Sequence, residues 1–169
     1  GRGANLLAYR TDIVKPAPTS WGSVFDANSP YKGKITAYDS PIYIADAALY
    51  LMKTKPELGI KYPYALDKTQ FDAAMALLKQ QKPLISEYWG DYLKHVASLK
   101  SGATVLGTTW QVNINLAKSE NVKVEGIKPV EGSTGWSDTW MISSKSKNPN
   151  CAYMWMNHIV SPQANAAVA

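Results

Sequence analysis

Lys34-Ile35-Thr36-Ala37-Tyr38-Asp39-Ser40-Pro41-Ile42-Tyr43 is the stretch on which the fold turns. Lys34 to Tyr38 follows the turn Tyr31-Lys32-Gly33 and carries the β-branched and aromatic residues of a strand. Asp39-Ser40-Pro41 ends it. Ser40 suits a helix N-cap and Pro41 the first helical position. Ile42, Ala45, Leu49 and Met52 then recur at helical spacing until Pro56. A strand thus feeds a helix through a short polar junction.

The same unit repeats outward. Downstream, Asp67-Lys68-Thr69-Gln70 reads as a capping box ahead of the stripe Phe71, Ala74, Met75 and Leu78, which Pro83 ends. Leu84 to Trp89 is a strand, and a helix fits Asp91 to Lys100 with Leu93, Val96 and Leu99 on one face. Thr104 to Thr108 is a strand, followed by Trp110 and a helix to about Ala117. Val122 to Ile127 is a strand, Glu131 to Gly135 a tight loop, and Asp138 to Ile142 a further strand. Asn148-Pro149 and Ser161-Pro162 each open a helix. Upstream, Asn5 to Tyr9 reads as a buried strand, and Pro16, Pro18 and Thr19-Ser20-Trp21 as a loop entering a short helical turn. Alternating strands and helices predict an α/β layer structure with a mostly parallel sheet.

Composition narrows the function. At 169 residues, 46% hydrophobic and 18% charged, the chain has the makings of a globular core. Its net charge is +5, but sixteen of its eighteen basic residues are scattered lysines, with arginine only at Arg2 and Arg10. Nucleic-acid binders concentrate basic charge and use arginine forks, so no nucleic-acid partner is expected. The single Cys151 excludes an internal disulfide and a cysteine zinc site, and its apolar surroundings predict a small buried side chain. No run of 18 apolar residues codes a membrane span. The opening Gly1-Arg2-Gly3 and the closing Ala166-Ala167-Val168-Ala169 read as the interior of a longer protein.

In open α/β sheets ligands bind beyond the carboxyl ends of the strands. Tyr38-Asp39-Ser40, Tyr88-Trp89-Gly90-Asp91, Thr108-Thr109-Trp110 and, entering the last strand, Trp136-Ser137-Asp138 occupy that place. Each segment has an aromatic ring and three have a carboxylate, which suits a ligand bearing an ammonium group. Asp39 and Asp91 can equally serve only the helices that follow them. Catalysis finds little support: there is no Gly-x-Ser-x-Gly elbow, and His95 and His158 have no metal-pair spacing. Gly132-Ser133-Thr134-Gly135 lacks the Gly-Lys-Ser/Thr ending of a P-loop. No metal, cofactor or catalytic residue is expected. An α/β enzyme domain using Asp138 or Asp39 as acid/base, and a sensor module of the same fold, are the alternatives.

Thr19-Ser20-Trp21 followed by Tyr31-Lys32-Gly33-Lys34-Ile35-Thr36 resembles the entry to the second lobe of spermidine/putrescine-binding proteins. Leu106-Gly107-Thr108-Thr109-Trp110 is similar to that family's strand ending in a ligand-stacking tryptophan. Trp136-Ser137-Asp138 resembles its Trp-x-Asp segment, in which the indole stacks and the carboxylate binds an amine. Asn148 to Ala169 resembles the helix and Ser-Pro break that follow. The resemblance implies part of a two-lobed type II periplasmic binding protein, which captures a small amine between its lobes and delivers it to an ABC permease of the inner membrane. It implies residues 1–10 as a strand near the hinge, 11–135 as the second-lobe α/β domain, and 136–169 as the crossing toward a partial first lobe.

The chain departs from this pattern at one position. Tyr43 stands where the family's second acid falls, which lowers the negative charge available to a diamine. Arg2, flanked by Gly1 and Gly3, offers a planar fork for a carboxylate. Ligand residues are therefore expected at Trp110, Trp136, Asp138, Asp39, Ser40, Tyr43 and Arg2, with a 4-aminobutyrate-like ω-amino acid favoured over putrescine or spermidine.

Overall fold

A computed structural model describes residues 2–168. They divide into two compact units: Gly3–Trp136, and Arg2 with the residues from Ser137 onward.

The first unit is a five-stranded sheet covered by helices on both faces. Its strands are β2 (Leu6–Arg10), β3 (Ile35–Tyr38), β4 (Ile85–Trp89), β5 (Leu106–Thr109) and β6 (Val124–Ile127), in the order β4-β3-β5-β2-β6. β3 runs parallel to β4 and β5, and β2 runs antiparallel to β5 and β6. Four strands therefore point one way, and β2 alone, entering from the N-terminus, runs against them. At Gly107, φ is +153° and an added Cβ would stand 2.0 Å from the Thr36 carbonyl oxygen. Only glycine lets β5 lie this close to β3.

Alternation along the strands sorts the core into two layers. Leu7, Ile35, Ala37 and Leu106 pack against α1 (Gly22–Phe25), α2 (Tyr43–Thr54) and α3 (Lys68–Gln81) through Val24, Phe25, Ala47, Ala48, Leu51 and Ala74. Ala8 on the other face packs against α4 (Tyr92–Ser101) and α5 (Gln111–Ser119) through Val96, Leu99, Ile114 and Ala117. Leu93 is not part of that face; it is exposed, and the buried side of α4 is His95, Val96, Ser98 and Leu99.

Helix starts follow their local chemistry. The capping box of α3 is complete: Gln70 N donates to Asp67 Oδ1 at 2.8 Å, and Asp67 N donates to Gln70 Oε1 at 3.1 Å. Asp91 accepts from Leu93 N at 2.8 Å and so serves the N-terminus of α4. α2 begins at Tyr43 rather than at Pro41, with Ser40-Pro41-Ile42 forming a turn in front of it.

Short strands β1 (Arg2–Ala4) and β7 (Gly135–Ser137) form a separate two-stranded sheet. The strand expected at 138–142 is absent; the ladder lies three residues earlier, where the Trp136 segment meets β1.

In the second unit, α6 (Pro149–Ile159) and α7 (Pro162–Val168) follow an irregular segment. Pro149 opens α6, but Asn148 makes no side-chain cap bond. Ser161 Oγ accepts from Ala164 N at 3.3 Å and caps α7. Trp140 and Trp155 meet edge to face with centroids 6.4 Å apart. Cys151 is exposed, contrary to expectation, because α6 has no buried residue. The expected helical end at Ala169 and the Gly1 flank of Arg2 lie outside the described residues.

Candidate functional site

β3, β4 and β5 run parallel, so their carboxyl ends reach one edge of the sheet. Tyr38 pairs with Trp89 there, and Trp110 follows β5 directly. β2 starts at the same edge, because Leu6 pairs with Thr109, and this brings Asn5 beside Trp110. An aromatic cluster results. The Tyr38 ring lies 4.8 Å from Trp89 and 5.1 Å from Trp110, Trp89 lies 4.9 Å from Trp110, and Trp110 lies 5.4 Å from Trp136.

These rings differ in role. Trp89 is 1% exposed and donates its indole N–H to the Thr108 carbonyl at 3.1 Å. His95 stacks on it at 4.7 Å, which makes Trp89 a floor rather than a ligand contact. Burial holds the His95 imidazole neutral, with its pKa lowered to about 4. Tyr38, Trp110 and Trp136 are half-buried.

Asp39 is exposed at the end of β3, its backbone N–H held by the Trp89 carbonyl at 2.8 Å. Asp39 and Ser40 line a pocket of about 300 Å³ with Tyr38, Tyr88, Tyr43 and Leu78. The Tyr88 phenol is pushed up, first by partial burial and second by the charge of Asp39. Tyr43 contributes only a wall to this pocket. It is 4% exposed, and Gln81 Nε2 donates to its hydroxyl at 2.8 Å within the core. Tyr43 thus has a packing role that the local sequence did not reveal.

The loop before Trp136 is anchored from below. Glu131 accepts from the Ser20 hydroxyl and from Trp21 N, and the Trp21 indole donates to the Gly132 carbonyl at 2.9 Å. The Thr19-Ser20-Trp21 motif therefore fixes the loop that carries Thr134 and Trp136.

Structure thus brings Trp136, Trp110, Tyr38, Asp39 and Ser40 into one contiguous run on Gly3–Trp136. Asp138 and Arg2 belong to the other unit, and both are exposed. Two buried polar residues of the rim escaped the sequence reading. Asn5 accepts from the Trp110 indole at 3.0 Å and donates to Asp46 at 3.1 Å. Asp46 is fully buried, and desolvation raises its pKa to about 7 against the opposing bonds from Thr134 and Asn5. Its one visible signal was an acid inside the apolar run Ile42 to Leu49. Among the described residues, no three His, Cys, Asp or Glu side chains cluster to hold a metal ion, and no helix is long and apolar enough to cross a membrane.

The spermidine/putrescine-binding periplasmic protein of Escherichia coli is 24% identical over 168 residues, which is 99% of this chain and 45% of that protein. A spermidine/putrescine ABC transporter substrate-binding protein from Streptococcus pneumoniae superposes with a TM-score of 0.71 at 21% identity, covering 96% of this chain and 47% of the other. An ABC transporter structure from Clostridium perfringens gives a TM-score of 0.74 at 17% identity, covering 96% and 49%. The fold is the α/β fold of type II periplasmic binding proteins, and the chain spans about half the length of the relatives it matches. Residues 2–169 match the family described as bacterial extracellular solute-binding protein, and the chain belongs to that family.

Proposed function

We propose that the protein containing this chain captures a small amine or ω-amino acid in the periplasm as the solute-binding part of an ABC importer, and hands it to an inner-membrane permease. One observation carries the choice of ligand: the half-buried rings of Trp136, Trp110 and Tyr38 run up to the exposed carboxylate of Asp39 at the strand ends. Aromatic faces attract a cation by about 0.5–2 kcal/mol each, and a carboxylate adds charge-assisted hydrogen bonds. The names of the relatives point to the same ligand class.

Within this proposal, residues 11–135 form the second lobe and 136–169 cross toward the first. Asp138 is the main ammonium partner, and Arg2 receives a ligand carboxylate. With Tyr43 in place of an acid, 4-aminobutyrate is the favoured ligand. Titration calorimetry on the complete protein containing this chain, with putrescine, spermidine and 4-aminobutyrate, tests the reading. Saturable binding of at least one, weakened in Trp110→Ala, supports it. Absence of binding to all three rejects an amine ligand.

A further inference from the structure

We propose that Asp46 is a positioning residue for amine binding: through Asn5 it fixes the indole of Trp110, and through Thr134 it anchors the strand that presents Trp136. The proposal rests on the reading of Trp110 and Trp136 as ligand-facing residues.

Asp46 lies in α2, three residues beyond Tyr43, with no exposed surface. Its Oδ2 accepts from Asn5 Nδ2 at 3.1 Å, and its Oδ1 accepts from the Thr134 hydroxyl at 2.5 Å. Asn5 Nδ2 also donates to Thr134 Oγ1 at 2.9 Å, which closes a triangle. The remaining atom of the Asn5 amide, Oδ1, accepts from the Trp110 indole at 3.0 Å. Backbone reinforces the triangle, since Asn5 N donates to the Thr134 carbonyl at 3.0 Å.

Donor and acceptor identities give this chain a direction. An indole N–H can only donate, and an ionised carboxylate can only accept. An amide between them has one consistent orientation, with NH₂ toward Asp46 and C=O toward Trp110. A proton on Asp46 Oδ1 reverses the bond to Thr134 and leaves Oδ2 accepting from Asn5, so the orientation survives protonation. Asparagine at position 46 costs the triangle a bond in either rotamer. With its carbonyl toward Thr134, its NH₂ faces the NH₂ of Asn5, and Asn5 is driven to turn its own NH₂ toward the Trp110 N–H. With its carbonyl toward Asn5, its NH₂ donates to Thr134 Oγ1 and the Thr134 hydroxyl proton loses the acceptor that Asp46 Oδ1 supplied. Either way a buried donor is left without an acceptor. Thr134 stands two residues before Trp136 on the same short segment, so a second ring depends on the same triangle.

The test uses the ¹⁵N-labelled complete protein containing this chain, with the Trp110 indole N–H resonance assigned from Trp110→Phe. Asp46→Asn should move that resonance and weaken binding of putrescine or 4-aminobutyrate about tenfold. In a Trp110→Phe background, which keeps a ring but has no N–H, Asp46→Asn should weaken affinity much less, while lowering thermal stability as before. Should Asp46→Asn fail to fold, Thr134→Val opens the same triangle more gently and should move the same resonance. An unmoved Trp110 resonance in the folded variant overturns the proposal. So does unchanged affinity in Asp46→Asn where Trp110→Ala weakens binding, or an equal affinity loss in both backgrounds. If Trp110→Ala leaves affinity intact while Asp46→Asn still moves the resonance, the ligand-facing reading of Trp110 fails and the coupling of Asp46 to the indole stands.

Discussion

The indole of Trp136 lies directly over the Cα of Gly3, so closely that a Cβ on Gly3 would stand 2.2 Å from Cζ2 of the ring. Gly3 is thus a seat for a candidate ligand-binding tryptophan. This is a different use from the close approach to a ligand that its position beside Arg2 suggests. Gly3→Ala should displace Trp136 and destabilise the fold by about 1–3 kcal/mol, the usual cost of overpacking. Amine affinity should fall with it. A crystal structure of the variant with Trp136 unmoved would contradict this account.

Trp110 is half-buried among Tyr38, Trp89 and Trp136. Trp110→Ala removes one aromatic face from a bound cation, an expected loss of about 0.5–2 kcal/mol, or two- to thirtyfold in affinity. Trp89→Ala should instead act mainly on stability, by about 3–5 kcal/mol, because its ring is enclosed and stacked on His95. Calorimetry and denaturant unfolding on the same two variants separate the roles.

Asp138→Asn should weaken amine binding by about a hundredfold, near 2.7 kcal/mol, if this carboxylate is the ammonium partner. Unchanged affinity removes it from the site. Arg2→Met should weaken 4-aminobutyrate and spare putrescine, which has no carboxylate. Tighter binding of putrescine than of 4-aminobutyrate in the unmodified protein counts against the zwitterion preference.

Two buried groups give stability opposite dependences on pH. Burial raises the Asp46 carboxyl to about 7. Its folded pKa lies above the unfolded value of about 3.9, so the folded state holds the extra proton, and stability falls as pH rises from about 4 to 7. Burial lowers His95 to about 4. There the unfolded state, with a pKa of about 6.5, holds the extra proton, and stability falls as pH drops from about 6.5 to 4. The two effects offset each other over most of that range. Urea unfolding of Asp46→Asn between pH 4.5 and 7.5 should show stability rising more steeply with pH than in the parent, and His95→Gln should show the reverse. Parallel profiles for parent and Asp46→Asn would exclude Asp46 as a titrating group.

Local chemistry made much of the fold legible. The Asp67–Gln70 capping box, the Asp91 cap, and the strands ending at Tyr38 and Trp89 depend on neighbours within a few residues, and each formed where its pattern places it, while the strand expected at 104–108 formed as Leu106–Thr109. The alternation of strand and helix set the fold class, because β3, β4 and β5 are each followed by helix before the next parallel strand. Relations between distant segments were decided only in three dimensions. The reversal of β2 depends on its insertion between β5 and β6, which no pattern within Leu6 to Arg10 encodes. The Tyr43 hydroxyl faces Gln81 because α3 packs across α2, and the side chain at the same helix start would read as exposed from its neighbours alone. Asn5 and Thr134 lie 129 positions apart in sequence, and with Asp46 and Trp110 they meet through a handful of hydrogen bonds. The sequence by itself determined the periodic elements and the residue types collected at the strand ends, because those follow from local torsions and hydrophobic spacing. The tertiary structure alone decided which of those residues became floor, wall, seat or open ring, because burial and hydrogen-bond direction depend on what the rest of the chain sets against them.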